Sequence, residues 1–418
     1  MSLPVRVTRV GEDRPLLALL PVLPDDQRFA FVREGEGVVG WGVAARIAVG
    51  TGPDRFVRAR DGLTAALGDG GSTGDGAPRP IAFASFTFDG DEDGSVMVVP
   101  QVAVVRRDGA TWRIEVGDTS ALPTASADQS SAGEPVDRPR YGGSTVRDDV
   151  WLEAVARGLD AIDRGTYAKV VLARDLHLWS RTPFDVPTVL GALADRFPSC
   201  FTFLVDHLLG ASPELLLRRA GRTVTSRVLA GTAPRGSDVT EDEAIGTALL
   251  ASEKDRHEHD IALTSAVDAL APVCTSLDAP DSPSLVRLDN VQHLGSDLSG
   301  TLDASGPDRG APHVLDVLAR LHPTAAVGGA PREAALEGIR QLEGMSRGRY
   351  AGPVGWCTAD GDGEFAIALR CAEVRGDRAR LFAGAGVVAG SLPEAELTET
   401  WLKLRAMTGV LDRGTVGR

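Results

Sequence analysis

Gly363-Glu-Phe-Ala-Ile-Ala-Leu-Arg-Cys-Ala-Glu373, then Val-Arg-Gly-Asp, then Arg378-Ala-Arg-Leu-Phe-Ala-Gly-Ala385, is the stretch that decides the fold class. Two strand-length apolar runs meet across Gly376-Asp377, a pairing of residue types that reverses a chain tightly, so the runs are expected to lie antiparallel as a hairpin. Working outward, short strands elsewhere also come in pairs, separated by segments of helical pattern at about 147–164, 187–196, 240–270, 312–321, 331–343 and 393–407. Antiparallel pairs with interspersed helices favour an α+β fold over a doubly wound parallel sheet. Towards the amino terminus, 38–48, 81–88, 95–106 and 111–116 carry β-branched and aromatic runs, with one helix expected over 54–67. Residues 119–144 turn to Pro, Ser, Ala, Gly and Asp, a composition that fills no core and reads as a mobile loop. That seam divides the chain into 1–118, an amino-terminal part of the fold, a main region at 145–411 and a tail at 412–418. No short-period repeat interrupts the pattern.

The chain has 418 residues, 43% hydrophobic and 24% charged, with a formal net charge of −14. These values describe a globular protein with ample core and exclude wholesale disorder. The acidic balance argues against nucleic acid or an anionic membrane surface as partner, and an anionic substrate would need local cations. Cys200, Cys274, Cys357 and Cys371 show neither CxxC nor regular spacing, as expected of reduced thiols. No apolar run reaches membrane-spanning length and the first residues lack a signal-peptide core, so the cytoplasm is the expected location.

Two acidic helices stand out. Glu258 lies in Ser252-Glu-Lys-Asp-Arg-His-Glu-His259 and Glu399 in Pro393-Glu-Ala-Glu-Leu-Thr-Glu-Thr400. If Leu263, Val267 and Leu270 form the apolar stripe of the first helix, Asp255 and Glu258 point elsewhere. If Leu397, Trp401 and Leu404 form that of the second, Glu396, Glu399 and Lys403 share another side. Oxygen donors without Cys suit Mg²⁺, which takes one or two carboxylates and keeps waters; two solvated acidic faces are the other reading. His257 and His259 flank Glu258, but the spacing is not HExxH, so zinc is not expected.

Lys169, in Tyr167-Ala-Lys-Val-Val-Leu-Ala-Arg174, sits on a strand apolar on both faces, so its ammonium is either desolvated and suited to base duty or snorkels from a strand edge. Glu214 precedes three leucines, where an apolar setting would keep it protonated as an acid; a turn glutamate after Pro213 is the alternative. Gly384-Ala-Gly-Val-Val-Ala-Gly390 has GxGxxxG spacing with too little chain after it for a dinucleotide unit, and instead lets backbone N–H groups approach a carboxylate. Arg370 either clamps a carboxylate or is an ordinary surface arginine.

In chain order, Lys169-Val-Val-Leu-Ala-Arg, Gly210-Ala-Ser-Pro-Glu-Leu, Leu229-Ala-Gly-Thr232, Glu253-Lys-Asp-Arg-His-Glu-His, Val291-Gln-His-Leu-Gly-Ser, His322-Pro-Thr-Ala-Ala-Val-Gly, Tyr350-Ala-Gly-Pro-Val-Gly-Trp, Leu369-Arg-Cys-Ala, Gly384-Ala-Gly and Glu396-Leu-Thr-Glu-Thr resemble the chorismate-utilising enzymes, above all their isochorismate-forming branch. The resemblance implies a single large domain of two stacked antiparallel sheets flanked by helices, with 145–411 as its chorismate-binding catalytic region and an Mg²⁺-dependent site in a central cleft. It implies Lys169 as the base that activates water for C2 of chorismate and Glu214 as the acid for the departing C4 hydroxyl. Glu258 and Glu399 would hold Mg²⁺, with Asp255 and Glu396 in an outer shell. Tyr350, Arg370 and the backbone of Gly384, Ala385 and Gly386 match positions holding the enolpyruvyl carboxylate, and Thr232, His293, Thr324 and Lys403 match others lining the pocket.

His259, the loop His322-Pro-Thr-Ala and Lys169 itself depart from the aminating relatives, so no amidotransferase subunit is expected. The resemblance favours an isomerase acting as a monomer. Salicylate synthase, which goes on to eliminate pyruvate, and a catalytically silent chorismate-binding subunit are the alternatives. Menaquinone and siderophore biosynthesis both stay open as destinations of the product.

Overall fold

Period-two alternation sorts the residues of single strands into two cores. In Arg28–Arg33, Phe29 and Phe31 join one buried cluster while Ala30 and Val32 join the other; in Phe201–Val205, Phe201, Phe203 and Val205 part from Leu204 in the same way. The computed structural model describes residues 3–68, 76–123, 138–289, 291–305 and 310–412. Among them are a 12-stranded sheet, a 10-stranded sheet and eight α-helices. All strand pairings are antiparallel, as the α+β reading requires. The first core joins the sheets, with Phe29 of the larger stacked on Phe83 of the smaller at 5.4 Å. The second packs the larger sheet against the helices Val186–Arg196 and Pro393–Leu411.

The amino-terminal part is woven into the rest. Arg28–Arg33 pairs with Phe201–Val205, and Ile81–Ser85 pairs with Pro353–Thr358. The expected loop at 119–144 is shorter than the composition suggested, since Arg140–Gly143 is a strand against His177 to Trp179. Residues 124–137 of that loop and 413–418 of the tail lie outside the described residues.

The deciding stretch corrects the hairpin reading in an informative way. Cys371–Arg375 does pair with Arg378–Val388 across Gly376-Asp377, with Gly376 at φ 61 as such a turn needs. But Gly363–Ile367 belongs to the smaller sheet and Cys371–Arg375 to the larger, so Arg370 is not on a continuous strand. The chain passes between sheets at 368–370, where Arg370 adopts φ 46, a left-handed conformation that ends an extended run. A second passage runs beside it: Leu208–Ser212 is in the larger sheet, Leu215–Ala220 in the smaller, and Pro213-Glu214 lies between. Ala211 N donates to Arg370 O (3.2 Å) and Ile367 N to Glu214 O (3.1 Å), which ties the two passages together.

The segment 240–270 is two helices, Val239–Ala251 and Glu253–Leu270, because Ser252 caps the second by accepting from Asp255 N at 3.2 Å. Its fully buried line is His259, Ala262, Ala266 and Leu270, with Leu263 and Val267 half-buried beside it. In Pro393–Leu411 the buried line runs through Glu396, Thr400, Leu404 and Met407. Trp401 is 36% exposed, contrary to the stripe expected from it, because its ring covers the buried Arg174 guanidinium at 4.7 Å. No helix of the described residues is long and apolar enough to cross a membrane. All four cysteines are free thiols.

Candidate active site

Glu214, Thr232, Glu258, His293, Tyr350, Arg370, Gly384, Gly386, Glu399 and Lys403 all line one interior cavity, closed on further sides by Val171 and Val327. Its volume is about 80 Å³, below the roughly 300–1,000 Å³ of pockets that hold small molecules, so a bound ligand requires side chains to give way. A larger open cleft of about 880 Å³, between Arg33, Trp356 and Glu364, gathers none of the expected residues. Volume therefore does not mark the site; converging polar groups do.

Lys169 opens the strand Lys169–Trp179 and is fully buried, just behind the cavity wall. Its Nζ stands 3.0 Å from Glu258 Oε1, an ion pair the sequence reading did not make, and lacks a directed hydrogen bond. Burial pushes the Glu258 carboxyl up, but Lys169 and then Lys403 outweigh it and the net shift is down. Gly386 makes this contact possible, because a Cβ there would lie 2.2 Å from Glu258 Oε1. Lys403, one turn after Glu399, pairs with it at 2.6 Å and donates to Gly384 O at 2.9 Å. Burial nevertheless leaves the Glu399 carboxyl shifted up.

Glu214 is 4% exposed, and Leu229 N lies 3.4 Å from its Oε1. Burial pushes its carboxyl to about 8, so it is mostly protonated at neutral pH. Across from it, Arg370 Nη2 lies 2.8 Å from His293 Nε2. A guanidinium only donates, so Nε2 accepts and the ring proton sits on Nδ1, which donates to Thr232 Oγ1 at 3.1 Å. Burial, with Arg370 and Lys403 nearby, holds His293 neutral, well below the usual histidine range. Arg370 Nη1 makes no hydrogen bond among the described residues, a buried unsatisfied donor on a residue that lines the cavity. The Tyr350 ring stacks on Phe382 at 5.1 Å, and its hydroxyl would sit 3.2 Å from a Cβ at Gly384.

Four other expected residues stand outside the lining. Thr324 is buried with its Oγ1 unpartnered, while Ala326 and Val327 of the same loop form the wall. Ala385 alternates away from Gly384 and Gly386 into the core. Asp255 serves the helix cap, accepting from Ser252 Oγ at 2.5 Å, and Glu396 is buried against Lys254 at 2.8 Å. Lys254 was missed, although it lies one turn before Glu258 in the same block. Among the described residues no three His, Cys, Asp or Glu side chains gather into a metal cage. Glu258 and Glu399 face one cavity and repel each other electrostatically. Two carboxylate donors beside an open space fit Mg²⁺, which completes its shell with water and substrate oxygen rather than protein.

A family model for chorismate binding enzymes matches residues 16–412. Isochorismate synthase DhbC of Bacillus subtilis is 44% identical over 268 residues, covering 62% of this chain and 66% of that protein. Isochorismate synthase MenF of Bacillus subtilis is 40% identical over 267 residues, covering 63% of this chain and 55% of that protein. The chain thus aligns with between about half and two thirds of the length of these curated relatives. The solved structure of MenF, the menaquinone-specific isochorismate synthase from Escherichia coli, matches with a TM-score of 0.82 over 98% of this chain and 95% of that one, at 25% identity. The resemblance read from ten short blocks is thereby borne out: the chain belongs to the chorismate binding enzyme family.

Proposed function

We propose that the protein is an isochorismate synthase, an isomerase that converts chorismate to isochorismate. The observation that carries this reading is a buried glutamic acid on the cavity that keeps its proton at neutral pH, with a buried lysine just behind the wall. Lys169 is the base that takes a proton from water as the water oxygen bonds to C2 of the ring. Both ring double bonds shift, the C4–O bond breaks, and the proton of Glu214 goes to the departing hydroxyl, which leaves as water. One water enters and one leaves, so the product is an isomer of the substrate. Proton exchange with solvent returns Lys169 and Glu214 to their starting states.

Glu258 and Glu399 would hold Mg²⁺, whose charge, when bound, neutralises the ring carboxylate. Arg370 and the Gly384 and Gly386 backbone would hold the enolpyruvyl carboxylate. His293, fixed in one tautomer, keeps the guanidinium from turning away. The substrate would be chorismate alone, with no amidotransferase subunit.

The test is incubation with chorismate and Mg²⁺, with products separated by chromatography and pyruvate assayed. An isomer of chorismate without pyruvate is the expected result. Pyruvate with salicylate would move the reading to a salicylate synthase, and no consumption by folded protein would make the chain a silent chorismate-binding subunit.

A further inference from the structure

The strand that begins at Lys169 is fully paired on one edge only. Arg378–Val388 accompanies it from Lys169 to Trp179. On the other edge Gly329–Ala330 covers Lys169 and Val170, and Arg140–Gly143 covers His177 to Trp179. Between them no strand of the described residues meets Val171 and Ala173, and mostly side chains stand in for one. Arg347 Nη2 donates to Val171 O at 2.7 Å, Ala173 N donates to Glu343 Oε1 at 2.7 Å, and Trp151 Nε1 donates to Ala173 O at 3.1 Å. Val171 N reaches Gly328 O at 2.9 Å.

Glu343 and Arg347 are 2% and 3% exposed and bonded to each other, Nε to Oε2 at 2.9 Å. Arg347 Nη1 also donates to Val327 O at 2.8 Å, its guanidinium lies 4.0 Å over the Phe88 ring, and its own carbonyl accepts from Tyr350 N at 3.1 Å. Val171, Val327 and Tyr350 all line the cavity, yet Glu343 and Arg347 do not. One guanidinium therefore joins the peptide two residues from Lys169 to the adjoining loop that also lines the cavity. A buried ion pair is a weak source of stability, since apolar residues of like volume often replace it at no cost. What apolar residues cannot do is hold the Val171, Ala173 and Val327 peptides at once.

We propose that Glu343 and Arg347 are positioning residues, a buried side-chain bridge that replaces a missing strand and fixes the Lys169 strand against the 324–327 wall and Tyr350. Turnover as a readout rests on the isochorismate synthase reading. The test replaces both at once, Glu343→Met with Arg347→Met, which leaves no orphaned charge, and measures melting temperature, chorismate kinetics and amide exchange at Val171 and Ala173. The expected result is a folded protein with faster exchange at Ala173, kcat lowered about 100-fold and KM changed by less than about 3-fold, the pattern of misplaced chemistry rather than lost binding. A folded double variant with wild-type kcat, or a loss carried by KM alone, overturns the proposal. If the double variant does not fold, Glu343→Gln, which keeps an acceptor for Ala173 N but loses the charge on Arg347, decides it: about 10-fold lower kcat supports the bridge and unchanged kcat overturns it. If the wild-type protein does not turn over chorismate, the proposed activity fails, and the exchange arm alone decides the bridge, unchanged exchange at Ala173 counting against it.

Discussion

The two ends of the cavity are built on different principles. At one end Glu214 and Arg370 stand where the chain passes between sheets, each held by backbone that has just left one sheet and not yet joined the other. At the other end Glu258, Glu399 and Lys403 project from helices and, with Lys169, form two lysine–glutamate pairs. The same residue type consequently behaves in opposite ways: Glu214, with no cation in contact, is pushed up to about 8, while Glu258 is pulled down by Lys169 against the effect of burial. Charge state here follows from the balance of burial against the cation beside each carboxyl, and at Glu399 burial wins even with Lys403 at 2.6 Å. The passages provide an uncharged acid, and the helices provide charges that can change partners.

The largest effect is expected where the two ends meet, from Lys169→Ala. Turnover should fall by roughly 10³–10⁴-fold through loss of the base, and the buried Glu258, left without its partner, is expected to cost about 3 kcal/mol of stability or more. Chorismate consumption and a melting curve check both halves; wild-type turnover would end the base assignment.

Glu214→Gln probes the opposite end through stability. The unfolded carboxyl ionises near 4.5 and the folded one near 8. Between those values the folded state keeps a proton that the unfolded state has released, so stability falls as pH rises through the window and levels off above it. By pH 7 the loss is about 3 kcal/mol. The glutamine variant avoids it and should be inactive yet more stable than wild type at neutral pH, with the difference closing towards pH 4.5. Parallel melting-temperature curves for the two proteins would contradict the protonated-acid reading.

Gly386→Ala tests whether the helix-borne end needs its close backbone approach. The new Cβ would displace Glu258 from Lys169, and a shift of about 1 Å is expected to lower turnover about 100-fold; a variant with unchanged kinetics would show that Glu258 can move freely. The smallest effect is expected for Glu399→Gln, about 10-fold weaker Mg²⁺ binding by calorimetry with little change in metal-free melting temperature. A large metal-free drop would instead make Glu399 structural.

The hairpin turn at Gly376-Asp377, most helix positions and the α+β class were legible because turn chemistry and apolar periodicity are local. The passages between sheets were not. Residues 365–371 keep an apolar pattern without Gly or Pro to mark a break, and the positive φ of Arg370 is imposed by the neighbouring passage at Glu214 rather than by its own sequence. Helix phase misled where apolar surface was used differently, since Trp401 covers a guanidinium and two alanines lie under Glu253–Leu270 where larger residues were expected. Most candidate site residues do converge on one cavity. Among the exceptions, Asp255 partners Ser252, three residues away in a capping pattern legible locally, while Glu396 partners Lys254, which could be found only in three dimensions.

The last described helix, Pro393–Leu411, brings both Glu399 and Lys403 to the cavity, while both sheets are held by pairings between strands far apart in sequence. Such long-range pairings form slowly, and during synthesis the site stays incomplete until that helix emerges and docks. A ligand held by Glu399 or Lys403 can therefore stabilise the chain only once that helix has docked.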